Sequence, residues 1–118
     1  MTRDELLAHH RVLSDKAREL MANKNHDYAS TADPFRNFRR HGLQGILVRL
    51  SDKLARLESF VENGTLHVKD ETILDTLLDI QNYSILFYGY YEDTKQKDEA
   101  LLQVRETAKA KELPAKCS

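Results

Sequence analysis

The segment DETILDTLLDIQNYSILFYGYY, residues 70–91, decides the fold. Leu or Ile at 73, 74, 77, 78, 80, 85 and 86, with aromatics at 83, 87 and 88, leaves it apolar around most of a helical circumference. This is the pattern of a buried helix, not of a surface helix with one apolar stripe. It predicts the central helix of an all-α fold. Glu71, Asp75 and Asp79 recur every fourth residue and Asn82 follows three later, so all four share one face. Carboxylates are rarely withdrawn from water without compensating cations, because desolvation is costly. The remaining sequence must therefore supply cations.

Upstream, Leu43, Ile46, Leu47, Leu50, Leu54, Leu57 and Val61 form an apolar stripe, and Asn63-Gly64 is a stop signal, which predicts a helix over 43–63. Its flank carries Arg49, Asp52, Lys53 and Arg56 at i, i+3, i+4 and i+7. Alone, such a ridge reads as a solvated face with weak internal ion pairs. The short connection 65–69 makes this helix and the central one an antiparallel pair, which turns the ridge toward the acid stripe.

Nearer the N-terminus, Thr2 and Glu5 have the spacing of a capping box and open a predicted helix over 3–22. His9 and His10 lie on it without a ligand-type partner three or four residues further on and read as solvated or partner-facing. Residues 23–45, NKNHDYASTADPFRNFRRHGLQG, break the pattern and predict a long loop with at most a helical turn. Loops of that length in compact domains tend to be functional. Tyr28, Phe35 and Phe38 offer flat faces for a base, and Lys24, Arg36, Arg39 and Arg40 offer charge for phosphates. The competing reading anchors the aromatics on the core and leaves the arginines in water.

Beyond Gly89, which is expected to weaken or end the central helix, the charged run 92–112 holds Leu101, Leu102 and Val104 as its few large apolar residues. A fourth helix over 94–111 follows, with an apolar face thin enough that it either packs on a neighbouring subunit or stays mobile. Leu113-Pro114 ends it and 115–118 is a tail, so residues 1–112 read as one domain.

The 118 residues carry 18 basic and 19 acidic side chains, a net charge of -1, which argues against nucleic-acid binding through a general basic surface. Three loop arginines without such a surface would bind nucleic acid weakly. The single Cys117 makes no internal disulfide, and no apolar run approaches the length of a bilayer span. The expectation is a cytoplasmic protein without membrane contact. No HExxH sequence, Cys-x-x-Cys pair or Gly-rich phosphate loop is present.

Two accounts of the acid stripe use the same residues. In one, Asp52, Asp75 and Asp79 are neutralised by Arg49, Lys53 and Arg56 in a salt-bridge network, and the chain is a non-catalytic module binding a nucleotide or a protein. In the other, oxygen ligands from two facing helices hold Mg²⁺ or Mn²⁺, with vacancies for water and phosphate, and Asn82 extends the shell.

The blocks KNHDY (24–28), DPFRNF (33–38), RLSDKLARL (49–57) and DETILDTLLDIQNY (70–83) resemble the nucleotide modification associated domain family of phages and bacteria. That family is akin to the MazG-like all-α nucleoside triphosphate pyrophosphohydrolases. The resemblance implies an antiparallel helical bundle completed by homodimer or homotetramer formation. It also implies Mg²⁺-dependent hydrolysis of a nucleoside triphosphate, a deoxynucleotide in particular, to the monophosphate and pyrophosphate. By it, Asp52, Glu71, Asp75 and Asp79 would hold the metal. Glu71, Asp75 and Lys53 would act in catalysis, with Glu71 as a further ligand or the base that orients the attacking water. Lys24, Asp27, Tyr28, Asn37, Phe38, Arg49, Arg56 and Asn82 would contact the substrate. No E-x-x-E pair occurs on the 43–63 helix, and the acids of the central helix are spaced by four, not three. A reduced acid set of this kind suits one metal, or nucleotide binding without hydrolysis.

Overall fold

The computed structural model describes residues 1–28, 33–64 and 72–112. They form α1 (Arg3–Tyr28), a 3-10 turn (Arg36–Phe38), α2 (Gly42–Asn63) and α3 (Ile73–Glu112), with no strand among the described residues. The connection 65–69 and the tail 113–118, with Pro114 and Cys117, lie outside them.

The N-terminal capping box forms as its spacing predicts: the Glu5 amide donates to Thr2 Oγ1 at 3.1 Å and the Thr2 amide to Glu5 Oε2 at 3.4 Å. From there α1 runs six residues past its predicted end at 22. Residues 23–32 are polar but contain neither Gly nor Pro, and polarity without a breaker does not stop a helix. What remains of the predicted loop is shorter and includes the expected helical turn at Arg36–Phe38.

Helix α2 matches its predicted span to within a residue. Gly64 adopts a left-handed φ of 75° and its amide donates to the Phe60 carbonyl at 2.7 Å, the αL termination to which glycine is suited. Gly42, at its other end, lies against Tyr90, while Lys53 meets Asp79, so α2 and α3 run antiparallel as expected.

Gly89 does not end the central helix. α3 continues as one helix of 40 residues in place of the predicted two. A mid-helix glycine costs only about 1 kcal/mol relative to alanine, and no proline intervenes before Pro114. The missing side chain is used: a Cβ at Gly89 would lie 3.1 Å from Phe35 Cζ, so the loop ring seats where the glycine leaves room.

The core is thin. Ala17, Ile46 and Leu78, one from each helix, are the buried apolar residues among those described, joined by buried Thr76 and Asn82. Asn82 Nδ2 donates to the Ala17 carbonyl at 2.9 Å and ties α3 to α1. The fully buried central helix that the composition of 70–91 predicts is thus only half realised. α1 and α2 cover one side of α3 and leave Leu77, Ile85 and Tyr88 exposed on the other. The molecule measures 71 × 34 × 32 Å, and α3, at roughly 1.5 Å per residue, spans most of the long dimension. Its described side chains from residue 95 onward are all exposed. No helix among the described residues is long and apolar enough to cross a membrane.

Candidate functional site

An open groove of about 1090 Å³ lies where the end of α1, the 33–41 loop, the first turns of α2 and the middle of α3 converge. Helix α1 gives Met21 and Lys24; the loop gives Asp33, Pro34, Arg36, Asn37 and Phe38. Gln44, Gly45, Val48 and Arg49 of α2 line it behind His41, and Asp79, Asn82, Tyr83 and Leu86 of α3 close it. The groove therefore combines an aromatic and aliphatic surface with a cluster of cations, a pairing that suits a flat, anionic ligand.

The loop wall is fixed by a clasp on α3. Arg39 donates to both oxygens of Asp33, Nε to Oδ2 at 3.0 Å and Nη2 to Oδ1 at 2.9 Å, and Nη2 also reaches Asp93 Oδ2 at 3.1 Å. Its guanidinium lies 5.4 Å from the centre of the Phe35 ring and 5.3 Å from that of Tyr90, and the two rings meet edge to face at 5.6 Å. Asp33 Oδ1 further accepts the Phe35 amide at 3.0 Å. The bonds from Arg39 and from the Phe35 amide hold the Asp33 carboxyl below the usual carboxylate range, and Lys97, then Arg39, do the same for Asp93. Both carboxylates in turn push the Arg39 guanidinium up, Asp33 the more strongly. Arg39, which the sequence offers as a phosphate ligand, is spent on anchoring the loop. No local pattern announces the clasp, because Arg39 and Asp93 are 54 residues apart.

The acid stripe divides into three different environments. Asp79 lines the groove with its side chain 16% exposed, and both its oxygens are engaged: Oδ2 by Lys53 Nζ at 2.9 Å, Oδ1 by Lys24 Nζ at 3.6 Å. Asp75 turns back to cap its own helix. It accepts the Thr72 amide at 2.9 Å and the Thr72 hydroxyl at 3.0 Å, while its amide donates to Thr72 Oγ1 at 3.1 Å. Those Thr72 bonds, the backbone one foremost, lower the Asp75 pKa. Asp52 pairs with Arg56 at 3.4 Å along the exposed flank of α2 and does not line the groove.

Of the residues predicted for the site, Lys24, Asn37, Phe38, Arg49, Asp79 and Asn82 meet on the groove, and Lys53 joins them through Asp79. Asp52, Arg56 and Asp75 lie apart from it in the contacts just described. Glu71 and the side chains of Asp27 and Tyr28 fall outside the described residues. Among the described residues no three His, Cys, Asp or Glu side chains gather as a metal-ligating group. His41 and Gln44 line the groove without having been singled out in the sequence, and Tyr83, read there only as part of the apolar circumference, lines it as well. Asn82 adds a further feature: with Nδ2 committed to Ala17, its Oδ1 is buried and accepts no hydrogen bond from the described residues.

Comparison with protein-family models, with curated proteins and with solved structures finds no match to this chain.

Proposed function

We propose that the groove binds a nucleoside triphosphate, a deoxynucleotide in particular, and that the chain hydrolyses it to the monophosphate and pyrophosphate. The observation that carries the reading is the convergence of Lys24, Arg36 and Arg49 with Phe38, Tyr83 and Leu86 on one groove. The cations offer charge-assisted hydrogen bonds to a phosphate chain, and the rings and aliphatic side chains offer a face to the base. Asn37 and Asn82 stand on the same walls as polar contacts for base or sugar.

The donor chemistry fits Mg²⁺ or Mn²⁺ in a reduced form. The Asp79 carboxylate and the buried Asn82 Oδ1, which accepts no hydrogen bond from the described residues, stand three residues apart on one helix face and are oxygen donors, and Mg²⁺ is commonly held by one or two protein oxygens with water and substrate phosphates. When bound, the ion would supply positive charge to offset the phosphate chain as it is cleaved. Lys24 and Arg49, which line the same groove, would hold the phosphates. Asp75, engaged in capping, and Asp52, engaged with Arg56, enter this reading only if ligand binding rearranges them.

A second reading, binding without turnover, draws on the two lysines at Asp79, which already neutralise the carboxylate that a metal would use. In either, a second copy of the chain covers the exposed Ile85, Tyr88 and Tyr91 of α3 and completes the bundle, in a cytoplasmic setting. The deciding experiment is thermal unfolding with a panel of dNTPs, with and without Mg²⁺ or Mn²⁺, followed by product analysis. Monophosphate and pyrophosphate that vanish in Asp79→Asn support hydrolysis. A raised midpoint without products supports binding alone. A midpoint indifferent to every nucleotide refutes both.

A further inference from the structure

We infer that the ligand lies lengthwise along α3, with its phosphates at the Asp79 end of the groove and its base at the opposite end, where Gln44 reads the base edge. The inference rests on the nucleotide reading above and adds to it an orientation and a base-contacting residue. Contacts between the elements fix the two ends. Lys24 and Lys53 meet Asp79, whereas Phe35 lies against Gly89 and Gly42 against Tyr90. Gly89 and Tyr90 follow Asp79 by 10 and 11 residues, roughly 15 Å along the helix at about 1.5 Å per residue. Antiparallel α2 covers the same span from Gly42 to Lys53. Arg49, four residues before Lys53, therefore stands toward the Asp79 end, and Gln44, two after Gly42, stands at the other.

The two ends offer different chemistry. Toward Asp79 the groove presents the long cations Lys24 and Arg49, which suit phosphate oxygens. The other end carries Asn37 and Phe38 of the loop with Leu86 of α3, and also Arg36, whose planar guanidinium stacks on a base as readily as it bonds a phosphate. A base laid against Phe38 leaves its edge to the polar side chains. Gln44 is exposed on the groove from the first turn of α2, and among the described residues none hydrogen-bonds its carboxamide. That carboxamide sets donor hydrogens beside an acceptor oxygen, the complement of a base edge that does the same. Standing on a helix, it is placed more precisely than Asn37 in the loop turn. The reverse orientation would set the phosphates among Phe38 and Leu86 and leave the base against Lys24.

Isothermal titration on the full chain at one fixed Mg²⁺ concentration tests the orientation. The probes are inorganic tripolyphosphate, an abasic deoxyribose triphosphate, and the four dNTPs with a methylene group between the α and β phosphorus atoms, which cannot be cleaved there. Gln44→Ala should weaken the dNTP that binds best roughly tenfold, the worth of two hydrogen bonds, and leave tripolyphosphate and the abasic triphosphate unchanged. Lys24→Met should weaken all three classes by a common factor, roughly tenfold for one charge-assisted contact. Gln44 is exposed and alanine is the better helix former, so the variant keeps its fold, which circular dichroism checks. A Gln44→Ala chain that loses tripolyphosphate as much as dNTP, or loses neither, overturns the inference while the nucleotide reading stands. A Lys24→Met chain that loses dNTP but not tripolyphosphate overturns it as well. If on the unaltered chain no dNTP binds more tightly than tripolyphosphate, the nucleotide reading falls and takes the orientation with it.

Discussion

Replacing Gly89 by Ala tests whether the loop wall of the groove rests on α3. Two terms oppose each other. Alanine in a helix interior gains about 0.8–1.0 kcal/mol over glycine. The added Cβ, however, would stand 3.1 Å from Phe35 Cζ and 3.5 Å from Cε1, against a preferred carbon–carbon separation of about 3.5–4.0 Å. The Phe35 ring must withdraw by roughly half an ångström. It is held by the edge contact with Tyr90 at 5.6 Å and by Arg39 at 5.4 Å. Such contacts are worth about 0.5–1.5 and 0.5–1 kcal/mol, and overpacking a fitted site costs about 1–3 kcal/mol. The clash therefore offsets the helix gain, and Gly89→Ala should be less stable than the parent by about 0–2 kcal/mol. In a Phe35→Leu background the obstacle is gone, and the same change should stabilise by the full helix term of about 1 kcal/mol. Urea unfolding followed by circular dichroism at 222 nm, run as a double-mutant cycle, measures the difference. If Gly89→Ala stabilises equally in both backgrounds, Phe35 does not seat on α3 and the account of the groove wall is wrong.

Four further outcomes follow. Arg39→Ala should release the loop and weaken dNTP binding roughly 3- to 30-fold, and Arg39→Lys should not restore it, since one ammonium cannot replace the planar fork between Asp33 and two rings; isothermal titration distinguishes them. Thr72→Ala removes the cap of α3 and should cost about 1 kcal/mol in chemical denaturation. Because the Asp75 pKa is lowered in the folded state, its stabilisation is complete above the unfolded carboxylate value of about 4 and fades as pH falls through the lower folded one. An acid titration of stability should therefore be flatter in Thr72→Ala than in the parent. Asp79→Asn removes the carboxylate that the mostly buried Lys53 meets at 2.9 Å and should cost about 1–3 kcal/mol, whereas Asp52→Asn, whose side chain is 61% exposed, should stay within about 0.5 kcal/mol; equal effects in urea unfolding would contradict the contrast in burial.

The parts of the fold that were legible in the sequence are those set by local chemistry. Gly64 ends α2 where its left-handed backbone predicts, and the Thr2–Glu5 box opens α1. The readings that changed depended on packing between distant segments. Gly89 resembles a breaker until Phe35 is seen seated on it. The apolar circumference of 73–88 implies full burial only if enough partner surface exists, and one chain does not provide it. Asp75 shows how two patterns can share a residue. Its spacing from Glu71 and Asp79 suggested a ligand stripe, but Thr72-x-x-Asp75 is equally a capping signature, and that is the role its carboxylate takes. For the site, Lys24, Phe38, Arg49, Asp79 and Asn82 were readable as a polar and aromatic set. The pairing of Lys53 with Asp79 belongs to the salt-bridge account read from the sequence, whereas that Lys24 also settles on Asp79 required knowing where α1 ends.

The outer half of α3 carries exposed side chains on every face, yet it continues a helix whose inner half is packed. An isolated peptide of that length would be a marginal helix, because the first turn is costly to nucleate. Here the packed turns before residue 95 serve as the nucleus, so each further residue adds at propagation cost alone, which is close to balanced in water. Helicity in this arm should then decline gradually from its free end on warming, as a sloping ellipticity baseline that precedes the cooperative melting of the three-helix body.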